Sequence, residues 1–328
     1  MDSILTMSTY PSDHPEYAWL DGQFVKWEDC RVHVRTQGGF FGANVFEGLR
    51  AYWNADHEEL YVFRLAEHLR RLEQSMKIMR MTPPYTSEEL KSAVIGLFAR
   101  TGLRQHAQAN LVVYFGFPQP GDPLASTTPT GAHITAVPMG RSPMTDKGIR
   151  AGVSGWRRLS DDTMPIRIKI GSNYQNSRLA QNEVVASGYD MALLLNSKGK
   201  VSEAPGACIF ALRDGKLITP PTCADILESI TRLCVLEIAR VMGVEVVERD
   251  LDRSELYLSD EVFICGSIAE IIPVCSIDGI TVGDGSPGAT TRAIQRAYFD
   301  AVECRTNSFT HWCEPVFSQK SQLIPTGG

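Results

Sequence analysis

The chain has 328 residues, 43% of them hydrophobic and 21% charged, with a formal net charge of −6. That length allows two domains with a sizeable core, and the acidic balance gives little electrostatic support to binding nucleic acid or an anionic membrane. No apolar run reaches transmembrane length, and Met1-Asp2-Ser3-Ile4-Leu5-Thr6-Met7 has neither the basic start nor the apolar stretch of a signal peptide.

In chain order, Tyr17 to Trp27 reads as a hairpin in which Asp21-Gly22 supplies the positive φ angles of a type I′ turn. A strand over 59–63 leads into a helix whose Leu65, Leu69, Leu72, Met76 and Met79 recur at alternating steps of four and three, one apolar stripe facing a core. A helix over about 87–102 precedes a strand over 111–115, a Gly/Pro-rich loop over 116–131 and a strand over 133–137. Residues 138–147 carry Pro, Gly, Ser and Asp between periodic segments and form the candidate connection between a small N-terminal domain, 1–137, and a larger C-terminal one, 148–303.

Within that second part, Ile166-Arg167-Ile168-Lys169-Ile170 alternates as a strand does. A helix over about 174–187 follows, then strands over 190–195, 208–212 and 216–219. A helix from Ile230 to Met242 is closed by Gly243. Strands over 244–249 and 261–265 and a hairpin at Asp278-Gly279 come next, and 304–328 reads as an irregular, loosely held tail. Mixed strands with interspersed helices and no βαβ repeat predict an α+β fold. The eight cysteines include no C-x-x-C pair and several lie in apolar runs. That pattern fits reduced thiols in a cytoplasmic protein better than a disulfide framework or a zinc site, and the scattered histidines offer no metal site.

Lys169 carries the chemistry. A lysine held rigidly, with Arg167 two residues back, is a candidate nucleophilic amine, because neighbouring positive charge and desolvation favour its neutral form. Such an amine forms a Schiff base with a carbonyl or with pyridoxal phosphate. Other residues fit one part of that cofactor each. Tyr174 could hydrogen-bond the phenolic oxygen, and Glu203 could keep the pyridine nitrogen protonated. Ser229-Ile230-Thr231 opens a helix, where free N–H groups suit a phosphate. Gly266-Ser267 offers a second backbone nest, and Arg71 a charged phosphate anchor. Taken singly, a Ser-Thr helix start is a cap, a Gly-Ser pair a turn, and Arg71 or Glu203 a surface charge.

Together, in order and spacing, these segments resemble the class IV, fold-type IV pyridoxal-phosphate aminotransferases, the branched-chain branch in particular, over about residues 17–301. The early motif is Gly42-Ala43-Asn44-Val45-Phe46-Glu47-Gly48-Leu49-Arg50; the phosphate-arginine helix runs from Phe63-Arg64 to Arg71-Leu72. The lysine motif is Lys169-Ile170-Gly171-Ser172-Asn173-Tyr174, and Glu203 matches the pyridine-nitrogen acid. Leu227-Glu228-Ser229-Ile230-Thr231-Arg232 matches the phosphate helix, with Leu227 as the residue packed on the ring, and Gly266-Ser267-Ile268-Ala269-Glu270 the second phosphate loop. The resemblance implies a two-domain enzyme with the cofactor between domains, and a homodimer or larger assembly whose neighbouring subunit completes the pocket. It also implies ping-pong transfer of an amino group between an amine or amino acid and a 2-oxo acid, with Lys169 moving the proton as base and then acid.

The resemblance fails on the substrate side. Where branched-chain enzymes typically have a Tyr and an Arg, this chain has Gln108-Ala109-Asn110, and Pro138-Met139-Gly140-Arg141-Ser142 stands where a Trp and a Tyr are expected. Phe41 replaces a tyrosine that the neighbouring subunit contributes, and Ala204-Pro205-Gly206-Ala207-Cys208 replaces a Gly-x-Gly-Glu-Asn pattern. A charged carboxylate without its arginine is costly to bury, which argues against ordinary exchange with glutamate. The expected substrate pocket comprises Phe41, Phe46, Gly48, Asn110, Met139, Arg141, Ser267 and Ile268, with Arg141 as a replacement carboxylate anchor. It is more apolar than usual, and (R)-amines are candidate donors. A lyase of the aminodeoxychorismate type and a non-catalytic cofactor-binding protein are the alternatives.

Overall fold

The computed structural model describes residues 14–118, 120–122, 124–125 and 127–318. Positive φ at Asp21 (43°) and Gly22 (92°) folds β1 (Tyr17–Leu20) back onto β2 (Gln23–Lys26), the hairpin expected from that dipeptide. A short helix, α1 (Gln37–Phe41), is capped by the Thr36 hydroxyl and ended by Gly42 at φ 65°. The long strand β3 (Asn44–Asn54) turns into β4 (Glu59–Phe63), then α2 (Leu65–Ile78), α3 (Ser87–Thr101), β5 (Ala107–Phe115) and β6 (Thr130–Pro138). Thr86 and Glu89 cap each other's backbone at the start of α3. The apolar stripe of α2, Leu65, Leu69, Leu72 and Met76, is buried with Leu49 of β3 and Leu111 of β5 in one core.

The second half begins with α4 (Met144–Lys147) and β7 (Ile149–Arg157), followed by α5 (Tyr174–Ala186), β8 (Met191–Leu195), β9 (Cys208–Arg213) and β10 (Lys216–Thr219). Then come α6 (Ile230–Val241), β11 (Glu245–Glu248), α7 (Arg253–Tyr257), β12 (Glu261–Gly266), β13 (Glu270–Ile277), β14 (Ile280–Thr281), α8 (Ala289–Val302) and β15 (Cys313–Pro315). One sheet has the order β15-β4-β3-β5-β6-β1-β2, and the other β11-β10-β9-β12-β13-β7-β8, with β14 paired to β13. Both mix strands with packed helices, and this is the α+β architecture. The second sheet contains two parallel crossovers, β7-α5-β8 and β10-α6-β11. No helix among the described residues is long and apolar enough to cross a membrane.

Three expectations change. The run 166–170 is not a strand: only Ile170 bridges Val45, while the Lys169 carbonyl accepts from the Phe46 amide at 3.1 Å. β4 pairs with β3 only from Ala51 onward, so the edge of β3 is open at Val45–Phe46, and the run touches it there rather than along its length. Its alternation still buries Ile166, Ile168 and Ile170. The residues after 304 are not loosely held as far as 318. Trp312 is 1% exposed among Phe63, Tyr298 and Phe309, and β15 pairs with β4. Finally, β7 and α8 are additional elements, β7 sitting between β13 and β8.

Candidate active site

The two halves of the chain meet around an open cleft of about 360 Å³. Lys169 lies on its floor, fixed by its backbone at both ends: its N–H donates to Ser75 Oγ at 3.2 Å, and its carbonyl accepts from Phe46. Its Nζ hydrogen-bonds the Tyr174 hydroxyl and sits 4.7 Å from the centre of the Phe46 ring. Phe46 and Tyr174 meet edge-to-face at 5.0 Å. Tyr174 is the first residue of α5, reached from Lys169 through the tight turn Gly171–Asn173, so a five-residue spacing becomes a side-chain contact. Arg167 does not accompany Lys169; it ion-pairs with Glu228 at 3.0 Å.

At one end of the cleft, Arg71 emerges from the apolar face of α2. Its Nε and Nη2 donate to the two oxygens of Glu47 at 2.7 and 2.6 Å, and its Nη1 to the Glu228 carbonyl at 2.8 Å. His68, one turn earlier, places Nδ1 2.7 Å from the same Glu47. Burial alone would push the Glu47 carboxyl up; the Arg71 charge and these hydrogen bonds outweigh it and bring it down to about 2. Burial, with Arg71 and Lys169 nearby, lowers His68 despite Glu47. Beside Arg71, the Ser229 hydroxyl caps α6 by accepting from the Arg232 amide at 3.2 Å. The first-turn N–H groups of Ile230 and Thr231 are left without a helical acceptor. The turn Ser267-Ile268-Ala269 between β12 and β13 completes this end, and a Cβ on Gly266 would stand 2.6 Å from the Gly206 carbonyl oxygen. Only glycine lets those two backbones approach so closely.

Glu203 is buried beneath the opposite side. Its Oε2 accepts from the Leu227 amide at 3.0 Å, and its Oε1 lies 2.8 Å from Nε of buried Arg158. One buried cation and one N–H hold this carboxylate in place. Arg158, Glu47, His68 and Ser75 are the residues that motif reading does not single out for the site. Glu47 and His68 lie within the quoted motifs. The available signal was the pair His68 and Arg71, two bases three residues apart on a buried helix face, which together require an acidic partner. Arg158 follows β7 and was hidden with it.

Of the expected residues, Arg71, Lys169, Tyr174, Leu227, Ile230, Ser267, Ile268, Phe46, Gly48 and Asn110 line the cleft. Glu203 lines an adjoining recess with Lys169, Tyr174 and Leu227. Thr231 is buried one residue inside α6. Met139 and Arg141 are not in the cleft lining. Arg141 is bound to Glu303 and stacked 3.7 Å above the Phe299 ring, outside the cleft lining where a carboxylate anchor is expected. Phe41 is 52% exposed on a separate apolar patch with Phe40 and Pro118, away from this chain's own cleft.

A lysine amine beside a phenol, a fixed carboxylate, an arginine and a helix N-terminus form the donor set that a phosphorylated pyridine aldehyde requires, and these residues fit pyridoxal phosphate. The comparisons agree. The family model for amino-transferase class IV matches residues 44–277. The chain is 38% identical over 305 residues to a probable branched-chain-amino-acid aminotransferase of Aquifex aeolicus, covering 93% of this chain and 98% of that one. It superposes with a TM-score of 0.88 on the branched-chain aminotransferase of Thermoproteus uzoniensis crystallised with norvaline, at 39% identity and covering 92% of this chain and 100% of that one. A third match is the branched-chain amino acid aminotransferase of Thermobaculum terrenum in its PLP-form (holo-form), with TM-score 0.87, 39% identity and coverage of 93% and 99%. With sequence, fold and cofactor-binding geometry in agreement over nearly its whole length, this chain belongs to the class IV aminotransferases and is a branched-chain aminotransferase-like, pyridoxal-phosphate-dependent transaminase.

Proposed function

We propose that the enzyme moves an amino group between an amino acid or amine and a 2-oxo acid through a substrate wall that differs from the branched-chain norm, with (R)-amines within its donor range. The observation that carries this reading is the pairing of a complete cofactor floor, Lys169 with Tyr174 and Glu203 with Arg158, with a cleft wall of Phe46, Gly48, Gln108 and Asn110 that holds no charge.

In this reading Lys169 Nζ holds the cofactor's aldehyde carbon, and Arg71, the Ile230 and Thr231 amides and the Ser267 turn hold its phosphate. Glu203 faces the pyridine nitrogen, and Leu227 packs on the ring. Bound there, pyridoxal phosphate supplies the electron sink that makes a substrate α C–H acidic. Lys169, once its amine is free, would take the proton from the substrate α-carbon and deliver it two atoms away, to the former aldehyde carbon, as base and then acid. Tyr174 steers the amine through their hydrogen bond. Phe46 walls off water on one side of Nζ.

A homodimer or larger assembly fits the exposed apolar patch of Val34, Phe40, Phe41 and Phe117, and would let Phe41 complete a neighbour's cleft. A cytoplasmic site of action fits the eight cysteines, all of them free thiols.

The test follows the visible absorbance of the cofactor-loaded enzyme as L-leucine, L-glutamate, D-alanine and (R)-1-phenylethylamine are added singly without an acceptor. Loss of the band with at least one donor, and its absence from Lys169→Ala, is the expected result. A band that persists with every donor would overturn the reading.

A further inference from the structure

Gln108 and Asn110 sit on one face of β5, opposite Arg50 and Gly48 of β3. Gln108 Nε2 donates to Asn110 Oδ1 at 3.1 Å. A Cβ on Gly48 would lie 3.7 Å from Gln108 Nε2 and 3.8 Å from Asn110 Oδ1, in contact with both, so the bare glycine leaves room beside the two carboxamides, of which Asn110 is exposed and Gln108 mostly buried. The pair uses one N–H and one carbonyl on itself. It leaves a carbonyl on Gln108 and an amino group on Asn110 with no partner among the described residues. Turning both amides over exchanges the two roles and leaves the same surplus, one acceptor beside one donor.

Neither residue of the pair is charged, and Arg50, opposite Gln108, is not in the cleft lining. The charged side chains lining the cleft are Lys169 and Arg71. Arg71 is held by Glu47 and the Glu228 carbonyl. Arg50, next along β3, is 2% exposed and has the buried Glu270 carboxylate 3.9 Å away. Gly48, opposite Asn110, is one pleat, about 7 Å, along β3 from Phe46, over which the Lys169 amine sits, and Arg50, opposite Gln108, is one pleat further.

We propose that this wall selects amino donors whose side chain ends in a primary carboxamide at about the length of glutamine. The inference rests on the transaminase reading above. A substrate carboxamide matches both surplus groups: its carbonyl accepts from Asn110, and its amino group donates to Gln108. A carboxylate of the same length brings only acceptors and faces the Gln108 carbonyl. An aliphatic side chain strips water from both polar groups and replaces neither bond, the situation in which hydrogen-bonding sites discriminate most strongly. In the reaction the donor's α C–N and α C–H bonds break and water supplies the oxygen of its new carbonyl, while the acceptor's 2-oxo oxygen leaves as water and its carbon gains the nitrogen and a hydrogen. The carboxamide is unchanged, and no oxidant is consumed.

The experiment uses the cofactor-loaded enzyme and records the rate of absorbance change with glutamine, glutamate and leucine, each as either enantiomer. Glutamine should exceed glutamate by about tenfold or more, the worth of one to two hydrogen bonds. In Asn110→Leu and Gln108→Leu the glutamine-to-leucine rate ratio should fall about tenfold. A response to leucine or glutamate that equals or exceeds the response to glutamine overturns this inference alone, and the wild-type series decides this even if a variant fails to fold. An unchanged ratio in both variants also overturns it. Silence with every donor overturns the transaminase reading and this inference together.

Discussion

Replacing Glu47 by Gln tests whether the phosphate end of the cleft is built on a buried ion pair. Glu47 is fully buried and accepts from Arg71 twice and from His68, all within 2.7 Å. Its carboxyl is brought from an ordinary 4.5 to about 2, which at 1.36 kcal/mol per tenfold change in proton affinity is worth about 3 kcal/mol to the folded state at neutral pH. Glutamine cannot answer Arg71's charge, and an orphaned buried cation costs about 3–5 kcal/mol. Urea unfolding at pH 7 should therefore show Glu47→Gln destabilised by that amount.

The sign of the pH dependence follows. A depressed carboxylate stabilises above the unfolded pKa and loses that contribution as pH falls toward the folded one. The gap between wild type and variant is thus full at pH 7, has lost about 1 kcal/mol by pH 3.5, and keeps closing toward pH 2. A gap below about 1 kcal/mol at pH 7, or one that does not change with pH, would refute the reasoning.

Arg141→Ala should leave KM for every carboxylate substrate within about twofold while lowering the melting temperature, because its guanidinium is spent on Glu303 and Phe299; a tenfold rise in KM would restore it as a substrate anchor. Trp312→Ala should cost about 3–5 kcal/mol in urea unfolding, since the indole is 1% exposed and stacks on Phe309 at 4.1 Å. A loss under about 1 kcal/mol would mean the segment is dispensable. Titration with a disulfide reagent should give one fast thiol, exposed Cys223, and Cys223→Ser should abolish that phase. Burial pushes the Cys208 and Cys234 thiols up to about 12, so they should react only on unfolding.

Parts of the fold and of the cleft lining were legible in the sequence where residues sit at a backbone feature with its own signature. Ser229 caps a helix whose apolar face runs through Ile230, Cys234 and Ile238, and Asp278 (φ 53°) with Gly279 (φ 79°) turns a hairpin. Isolated signals failed where partners decide. The alternation of Ile166, Ile168 and Ile170 correctly marks a buried face, but strand formation needs a neighbour along the whole run. β7, Ile149–Arg157, places Ala, Gly and Ser at most of its buried positions, so its sequence offers too few large apolar residues to show the alternation that identifies a strand. In α8 the stripe Ile294, Tyr298, Ala301 and Val302 is a helical signal that motif reading passes over. The contact of Arg141 with a glutamate 162 positions away could not be read from the sequence, because a loop arginine carries no sign of so distant a partner.

The return of β15 to the first sheet has a consequence for biosynthesis. Strand β4 waits on its outer edge for Cys313–Pro315, and the Arg64 amide waits for the Trp312 carbonyl, although about 250 residues are translated in between. At roughly 5–20 residues per second that is an interval on the order of 10–50 seconds. Through it the nascent N-terminal sheet carries an open strand edge and an unfilled aromatic socket at Phe63, both of which invite pairing with other chains. Closure of that sheet therefore waits until residues 313–315 have been made, and a chaperone that shields β4 until then would raise the yield of active enzyme.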